Sequence, residues 1–239
     1  MSFLEKIAAE KRSSFQFEKK SLIETVRTAK DVALISEIKR KSPSQGDIRK
    51  LDAASTAMEM ESSGASAISV LTEENYFAGS LRDLENVKRN VSIPVLRKDF
   101  IVEEGELFES ALHGADAILL IAAILKDETE HFVDRAHEIG LECLVEVHSE
   151  RDLVYALDSS AMLIGVNNRD LATLKVDLST TEKIVQLIPN NRLIVAESGI
   201  HTREDVVRMR DAGAKACLIG TSIMKSNSIS QKIRELSGK

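Results

Sequence analysis

The stretch LIVAESGIHTREDVVRMRDAGAKACLIGT, Leu193 to Thr221, holds two short apolar runs, Leu193 to Ala196 and Ala216 to Ile219, each leading to a glycine turn, Ser198-Gly199 and Gly220-Thr221. The segment between them reads as one helix: Thr202 suits the N-cap, Glu204 and Asp205 the first turn, and Gly213 the C-terminal stop. Two parallel strands joined by a crossover helix make a βαβ unit, and the glycines fall past the carboxyl ends of its strands, where parallel α/β proteins bind ligands. Each turn alone reads equally as an ordinary tight turn. Together, the backbone N–H groups of Gly199 and Gly220 suit a single anion, and in the last two strands of an eight-stranded barrel that anion is a phosphate.

The rest of the chain repeats this unit. A helix ending in Gly-Ala, one linking residue and an apolar run recur as SSGASAISVL from Ser62, LHGADAILLI from Leu112 and DAGAKACLIG from Asp211, with a looser copy, EIGLECLVEV, from Glu138. Gly64 and Gly114 stand 50 positions apart, room for two βα units. Strands are expected at Val32 to Ile38, Ala67 to Leu71, Pro94 to Arg97, Ala117 to Ile121, Glu142 to Val147, Met162 to Val166, Leu193 to Ala196 and Ala216 to Gly220. Helices are expected between them, including Asp52 to Ser63, Ser80 to Arg89, Asp127 to Ile139 and Thr180 to Leu187. Runs apolar on both faces and alternating with helices imply a parallel sheet, and eight of them imply a closed (β/α)8 TIM barrel. An open doubly wound sheet is the other possibility, but no GxGxxG follows the first strand. Ahead of the barrel, Phe3 to Lys11 and Glu18 to Ala29 read as a short helical N-terminal extension, either a lid across the barrel bottom or a flap over its mouth. The whole of 1–239 is read as one barrel domain, with 1–30 as the extension.

Composition narrows the function. Hydrophobic residues at 43% and charged ones at 29% describe a soluble globular chain, and no apolar run approaches the roughly 20 residues of a membrane span. MSFLEKIAAEKRSS lacks the apolar core of a secretion signal, so a cytoplasmic location is expected. A net charge of -6, 4% aromatics and no Trp argue against a nucleic-acid partner. Cys143 and Cys217 lie in strand-like runs and read as buried thiols rather than a bridge or metal site.

In a barrel, residues just past each strand gather at one mouth. They are Glu37, Lys39 and Ser42, then Lys98 and Phe100, Glu146, Asn167 and Arg169, Glu197, Ser198 and Gly199, and finally Gly220 and Thr221. Charge in otherwise apolar runs needs a partner or a task.

The blocks SEIKRKSPSQGDIR from Ser36, ISVLTEENYFAGSLRDL from Ile68, PVLRKDF from Pro94, LVEVH from Leu144, IGVNNRDL from Ile164 and VAESGI from Val195 resemble the signature blocks of the indole-3-glycerol-phosphate synthase family of the tryptophan pathway. The resemblance runs from the first strand to the last. It implies a carboxy-lyase that closes the ring of 1-(2-carboxyphenylamino)-1-deoxyribulose 5-phosphate with loss of carbon dioxide and water, without cofactor or metal. By the same resemblance Lys98 is the general acid at the ketone, and desolvation is expected to lower its pKa. Lys39 and Glu146 serve the later dehydration, with Glu37 tuning Lys39. Asn167 and Arg169 orient the departing carboxylate. Ser42, Glu197 and Ser198 contact substrate, Phe77 and Phe100 sandwich its aromatic ring, and Gly199, Gly220, Thr221 and Lys39 hold its phosphate. Thr221 stands where the family often has serine, a change a backbone contact tolerates. The chain is expected to be a monomer acting on a phosphorylated small molecule, with a complex with a pathway enzyme left open. Two other readings are a sister phosphate barrel such as phosphoribosylanthranilate isomerase, which needs a reactive Cys and Asp pair, and a non-catalytic barrel scaffold.

Overall fold

A computed structural model describes residues 17–43, 46–170 and 173–239. All eight apolar runs become strands: β1 (Ala33–Ile38), β2 (Ala67–Leu71), β3 (Val95–Lys98), β4 (Ala117–Ile121), β5 (Glu142–Val147), β6 (Leu163–Asn167), β7 (Leu193–Glu197) and β8 (Ala216–Ile219). They pair in parallel in chain order, and β8 returns to β1 to close the barrel. Three strands reach one polar residue further than their apolar runs, to Lys98, Asn167 and Glu197. The reason is register: Leu71 pairs with Lys98 and Asn167 with Glu197, so backbone bonding rather than side-chain polarity sets where each strand stops. β3 starts after Pro94 because proline has no N–H to give the ladder.

The described helices are α1 (Leu22–Arg27), α2 (Ala53–Ser62), α3 (Leu81–Asn90), α4 (Glu104–Leu112), α5 (Ala122–Leu125), α6 (Thr129–Glu138), α7 (Glu150–Asp158), α8 (Ser179–Val185), α9 (Arg203–Ala212), α10 (Thr221–Met224) and α11 (Ile229–Ser237). The Gly-Ala repeat has one mechanical cause. Gly64, Gly114, Gly140 and Gly213 all have positive φ, at 108°, 85°, 79° and 118°. After each, the next N–H reaches back to the helix: Ala65 to Met60 O, Ala115 to Ser110 O, Leu141 to Ala136 O and Ala214 to Met209 O, at 2.9 to 3.0 Å. This is the Schellman stop, which satisfies orphan carbonyls and turns the chain into the next strand. At the other end of α9, Thr202 and Asp205 form a reciprocal capping box.

Side chains alternate along each strand. Outward residues such as Leu34, Ile68, Ile118 and Cys217 pack under the helices, while Ile35, Leu96, Leu144, Leu163, Val195 and Leu218 fill the barrel. Both cysteines are buried on the outward set, and burial pushes their thiols up, Cys217 to about 12.

The described residues ahead of β1, 17–32, close the barrel bottom. The helix expected at Glu18 to Ala29 shortens to α1, whose Leu22 and Val26 join the barrel-interior cluster. Its N-cap Ser21 and the N–H of Ile23 hold Glu142, the first residue of β5, at 2.5 and 2.8 Å. Residues 17–20 stay outside the helix, their polar groups claimed by the barrel: Lys20 N donates to Asp116 Oδ1 at 2.8 Å and Lys19 Nζ to Ala115 O at 2.6 Å. Of the two placements open in the sequence, this segment takes the bottom; the helix expected at Phe3 to Lys11 lies outside the described residues. Asp116 is the hub. Its carboxylate also accepts from Val95 N at 2.8 Å and pairs with buried Lys88 of α3 at 2.7 Å.

Elsewhere the expected helix at Asp127 to Ile139 divides into a 3-10 turn, Lys126–Glu128, and α6. That expected at Thr180 to Leu187 ends earlier, ahead of Pro189, beside which helical backbone is disfavoured. Among the described residues no helix is long and apolar enough to cross a membrane.

Replacing one partner of a buried pair strands the other. Lys88→Met is therefore expected to cost about 3 kcal/mol of stability in urea unfolding, and Lys88→Met with Asp116→Asn to recover part of that loss.

Candidate active site

The inward alternation that builds the apolar core turns to charge one step higher. Above Ile35 comes Glu37, above Leu96 comes Lys98, above Leu144 comes Glu146 and above Val195 comes Glu197. Lys98 Nζ lies 3.0 Å from Glu146 Oε2 and 2.8 Å from Glu197 Oε2. Lys39 Nζ lies 2.6 Å from Glu37 Oε2, and Glu37 is near enough to Lys98 for its charge to act there. The three glutamates are each no more than 2% exposed.

Two glycines make room for this layer. A Cβ on Gly220 would lie 2.0 Å from Glu37 Oε2, and one on Gly165 would lie 2.3 Å from Glu197 Oε1. Gly220, read in the sequence as part of an anion turn, thus also owes its identity to a neighbouring carboxylate. Gly165 carried no sequence signal, because the side chain that requires its bareness comes from the next strand.

The charges shift one another. Burial disfavours the Lys98 cation, but Glu146, Glu197 and Glu37 outweigh it and raise its pKa. The expected lowering is therefore corrected: desolvation is present, and the carboxylates overcome it. Burial likewise opposes ionisation of Glu146, yet Lys98 and His148 hold its carboxyl well below the usual range. For Glu197, burial and then the charge of Glu146 prevail over Lys98 and push it up to about 8. Its Oε1 is buried with no hydrogen-bond partner among the described residues.

His148, at the end of LVEVH, belongs to this cluster though its residue type alone did not single it out. Its Nε2 stands 3.2 Å from Glu146 Oε1, an ion-pair distance off hydrogen-bond alignment. Arg97, beside Lys98 in sequence, faces the opposite way. It is buried among Thr72, Asp99, Ser110 and Glu109 at 2.9 to 3.1 Å, so this stretch is a strand end and not a solvated loop.

The remaining candidates surround the charged layer. Ser42 opens a small hairpin, Lys41–Ser42 against Gly46–Asp47, and its buried Oγ has no partner among the described residues. Asn167 is buried at the end of β6 and accepts from Arg169 N at 3.0 Å; Arg169 in turn donates from its guanidinium to Leu174 O at 3.0 Å. Asn168, which the sequence did not distinguish from Asn167, is a clamp. It donates to Glu197 O at 3.0 Å and Ser198 O at 3.2 Å while accepting from Thr181 N and Oγ1. That grip holds Ser198 at φ 64° and Gly199 at φ 79° in consecutive left-handed turns, a backbone cost of the kind stored at functional sites. Gly220 leads into α10 with Thr221 as its first residue. Phe77 and Phe100 pack on each other, ring centroids 6.2 Å apart and 37° tilted, so they form one apolar wall rather than two sides of a slot. Arg40 ties the β1 loop to α3 through a two-pronged contact with Asp83.

Gly165→Ala is expected to lose about 1 to 3 kcal/mol in urea unfolding, as overpacking against Glu197 does. Gly105→Ala in α4, where the added methyl meets nothing within 4 Å, should instead gain about 0.5 to 1 kcal/mol.

The chain matches the family model described as indole-3-glycerol phosphate synthase over residues 3–236. It is 47% identical to the indole-3-glycerol phosphate synthase of Acetivibrio thermocellus over 86% of this chain and 80% of that one. It is 48% identical to that of Methanocaldococcus jannaschii over 90% of this chain and 82% of the other. Among solved structures, a mutant tryptophan synthase alpha-subunit from Pyrococcus furiosus superposes with a TM-score of 0.67 at 15% identity, covering 87% of this chain and 99% of that chain, a likeness of fold.

Proposed function

The chain belongs to the indole-3-glycerol phosphate synthase family, and from that premise we propose how its barrel mouth performs the family's ring closure. The enzyme is a carboxy-lyase of tryptophan biosynthesis that turns 1-(2-carboxyphenylamino)-1-deoxyribulose 5-phosphate into indole-3-glycerol phosphate. An aromatic carbon attacks the ketone, the carboxylate leaves as carbon dioxide, and the resulting hydroxyl leaves as water.

Lys98 is the general acid at the ketone oxygen. The observation that carries this assignment is its placement between two buried carboxylates at the rim, 3.0 and 2.8 Å away. At rest those carboxylates hold its proton tightly. A ketone oxygen entering between them takes over one N–H contact, weakens the stabilisation and brings the ammonium towards the acidity a donor needs. Lys39 and Glu146 act in the dehydration. Glu37 aims Lys39, as their 2.6 Å contact supports. Arg169 and Asn167 orient the carboxylate that departs, Ser42, Glu197 and Ser198 contact the substrate, and Phe77 with Phe100 covers its ring. The phosphate binds at the backbone of Gly199, Gly220 and Thr221 with Lys39 nearby, which the left-handed turns at Ser198 and Gly199 support.

The isomerase reading is disfavoured because both cysteines are buried on the strand faces turned to the helices, with raised pKa values. A scaffold has no use for a buried charged layer, which destabilises unless it serves chemistry. We further read the enzyme as a cytoplasmic monomer; its two free thiols suit a reducing compartment.

Incubating the pure protein with the substrate is expected to give indole fluorescence, and Lys98→Met to slow its appearance at least about a hundredfold. A Lys98→Met rate within about threefold of the parent would refute the acid role.

A further inference from the structure

Glu146 and Glu197 compete for one lysine, and the two carboxylates are not equivalent. Both oxygens of Glu146 face a cationic partner, Oε2 hydrogen-bonded by Lys98 at 3.0 Å and Oε1 at ion-pair distance from His148 Nε2, 3.2 Å away. Glu197 has Lys98 on Oε2 at 2.8 Å, while its Oε1 lies buried against Gly165 with no hydrogen-bond partner among the described residues. Two like charges this close inside a barrel cannot both ionise without cost, so one carboxyl of such a pair keeps a proton. Which one depends on where the second cation sits.

We propose that His148 is a positioning residue: by taking the Glu146 oxygen that Lys98 leaves, it fixes Glu146 as the ionised member of the pair and leaves Glu197 as the carboxyl with the exchangeable proton.

His148 is anchored through its backbone: its N–H donates to Asp152 Oδ2 at 2.9 Å, at the first turn of α7, and the ring Nδ1 stands 3.9 Å from the same oxygen, within ion-pair distance. The titratable groups that act on the imidazole are Glu146 on β5, Asp152 on α7 and Glu197 on β7. Burial disfavours its charge, and the neighbouring acidic groups, Glu146 foremost, outweigh that and raise its pKa. Its side chain remains 11% exposed, which leaves a route for protons.

The catalytic consequence rests on the reading of Lys98 as the acid. When Lys98 gives a proton to the ketone oxygen, its N–H count falls from three to two. Once Lys98 is neutral, Glu197 Oε2, 2.8 Å from its Nζ, no longer has to accept from an ammonium; with the carboxyl proton on that oxygen, Glu197 can return it to Lys98, leaving a carboxylate that solvent reprotonates. Glu146, held ionised, stays available as a base throughout.

The test is carbon-13 NMR of protein labelled at the glutamate carboxyl carbons, with Glu146→Gln and Glu197→Gln to assign the two signals, read without substrate. In the parent, Glu146 is expected to stay flat from about pH 5 to about pH 9 and Glu197 to titrate above neutrality. In His148→Gln, and in His148→Asn as a second variant, Glu146 should begin to titrate in that window and the Glu197 midpoint should fall by at least about one unit. Parent titrations with the two residues exchanged, or unchanged titrations in folded variants, overturn the proposal. With substrate, kcat of both variants should drop roughly tenfold with KM within about twofold, less than the roughly hundredfold a 1 Å misplacement can cost. A parent-like kcat overturns the catalytic half. A parent that makes no indole product would instead sink the general-acid reading and leave the titrations to be judged by themselves.

Discussion

Lys98 sits within 3.0 Å of two carboxylates at a height in the barrel where neither is more than 2% exposed. Removing an ion from water costs several kcal/mol, so such a group persists only if each charge answers another and none can swing away. The apolar interior beneath sets the heights: Leu96, Leu144 and Val195 fix where the next inward residue of each strand must lie. The space those residues need sideways is cleared by Gly165 and Gly220. The barrel thus holds a small block of charge on a rigid apolar floor, where little reorganisation is needed when a substrate's own charge develops.

Stability and chemistry are divided between the two ends, as is general for this architecture. At the bottom, α1 inserts Leu22 and Val26, and Asp116 gathers Lys88, Lys20 and Val95 into one knot. At the top, loops are held by polar contacts from beneath: Asn168 under Ser198, Arg40 against Asp83, Glu73 on the N–H groups of Asn75, Tyr76 and Phe77. None of these anchors draws on Lys39, Lys98 or Glu146, whose ion pairs are made within the charged layer.

Much of this was legible from the chain. Eight apolar runs, four glycine stops and the Thr202 and Gly213 caps depend on local forces, namely burial, backbone freedom at positive φ and orphan N–H or C=O groups, and each survives into the structure. The site was legible to the extent that barrel closure turns strand ends into neighbours. What escaped was anything requiring a view across strands. Gly165 is bare because of Glu197, and Phe77 and Phe100 touch instead of standing apart. The direction of the Lys98 shift escaped for the same reason: burial is a property of one residue, but the carboxylates that overrule it arrive from β1, β5 and β7.

The sequence by itself determined the parallel barrel, the identity of the residues at its rim and the family to which those motifs point, because periodicity and capping act within a few residues along the chain. Only the tertiary structure decided that residues 17–32 seal the bottom and that Lys98 is shared by Glu146 and Glu197. Those outcomes are set by distances of about 3 Å between residues tens of positions apart, and electrostatic energies inside a protein change steeply over such distances.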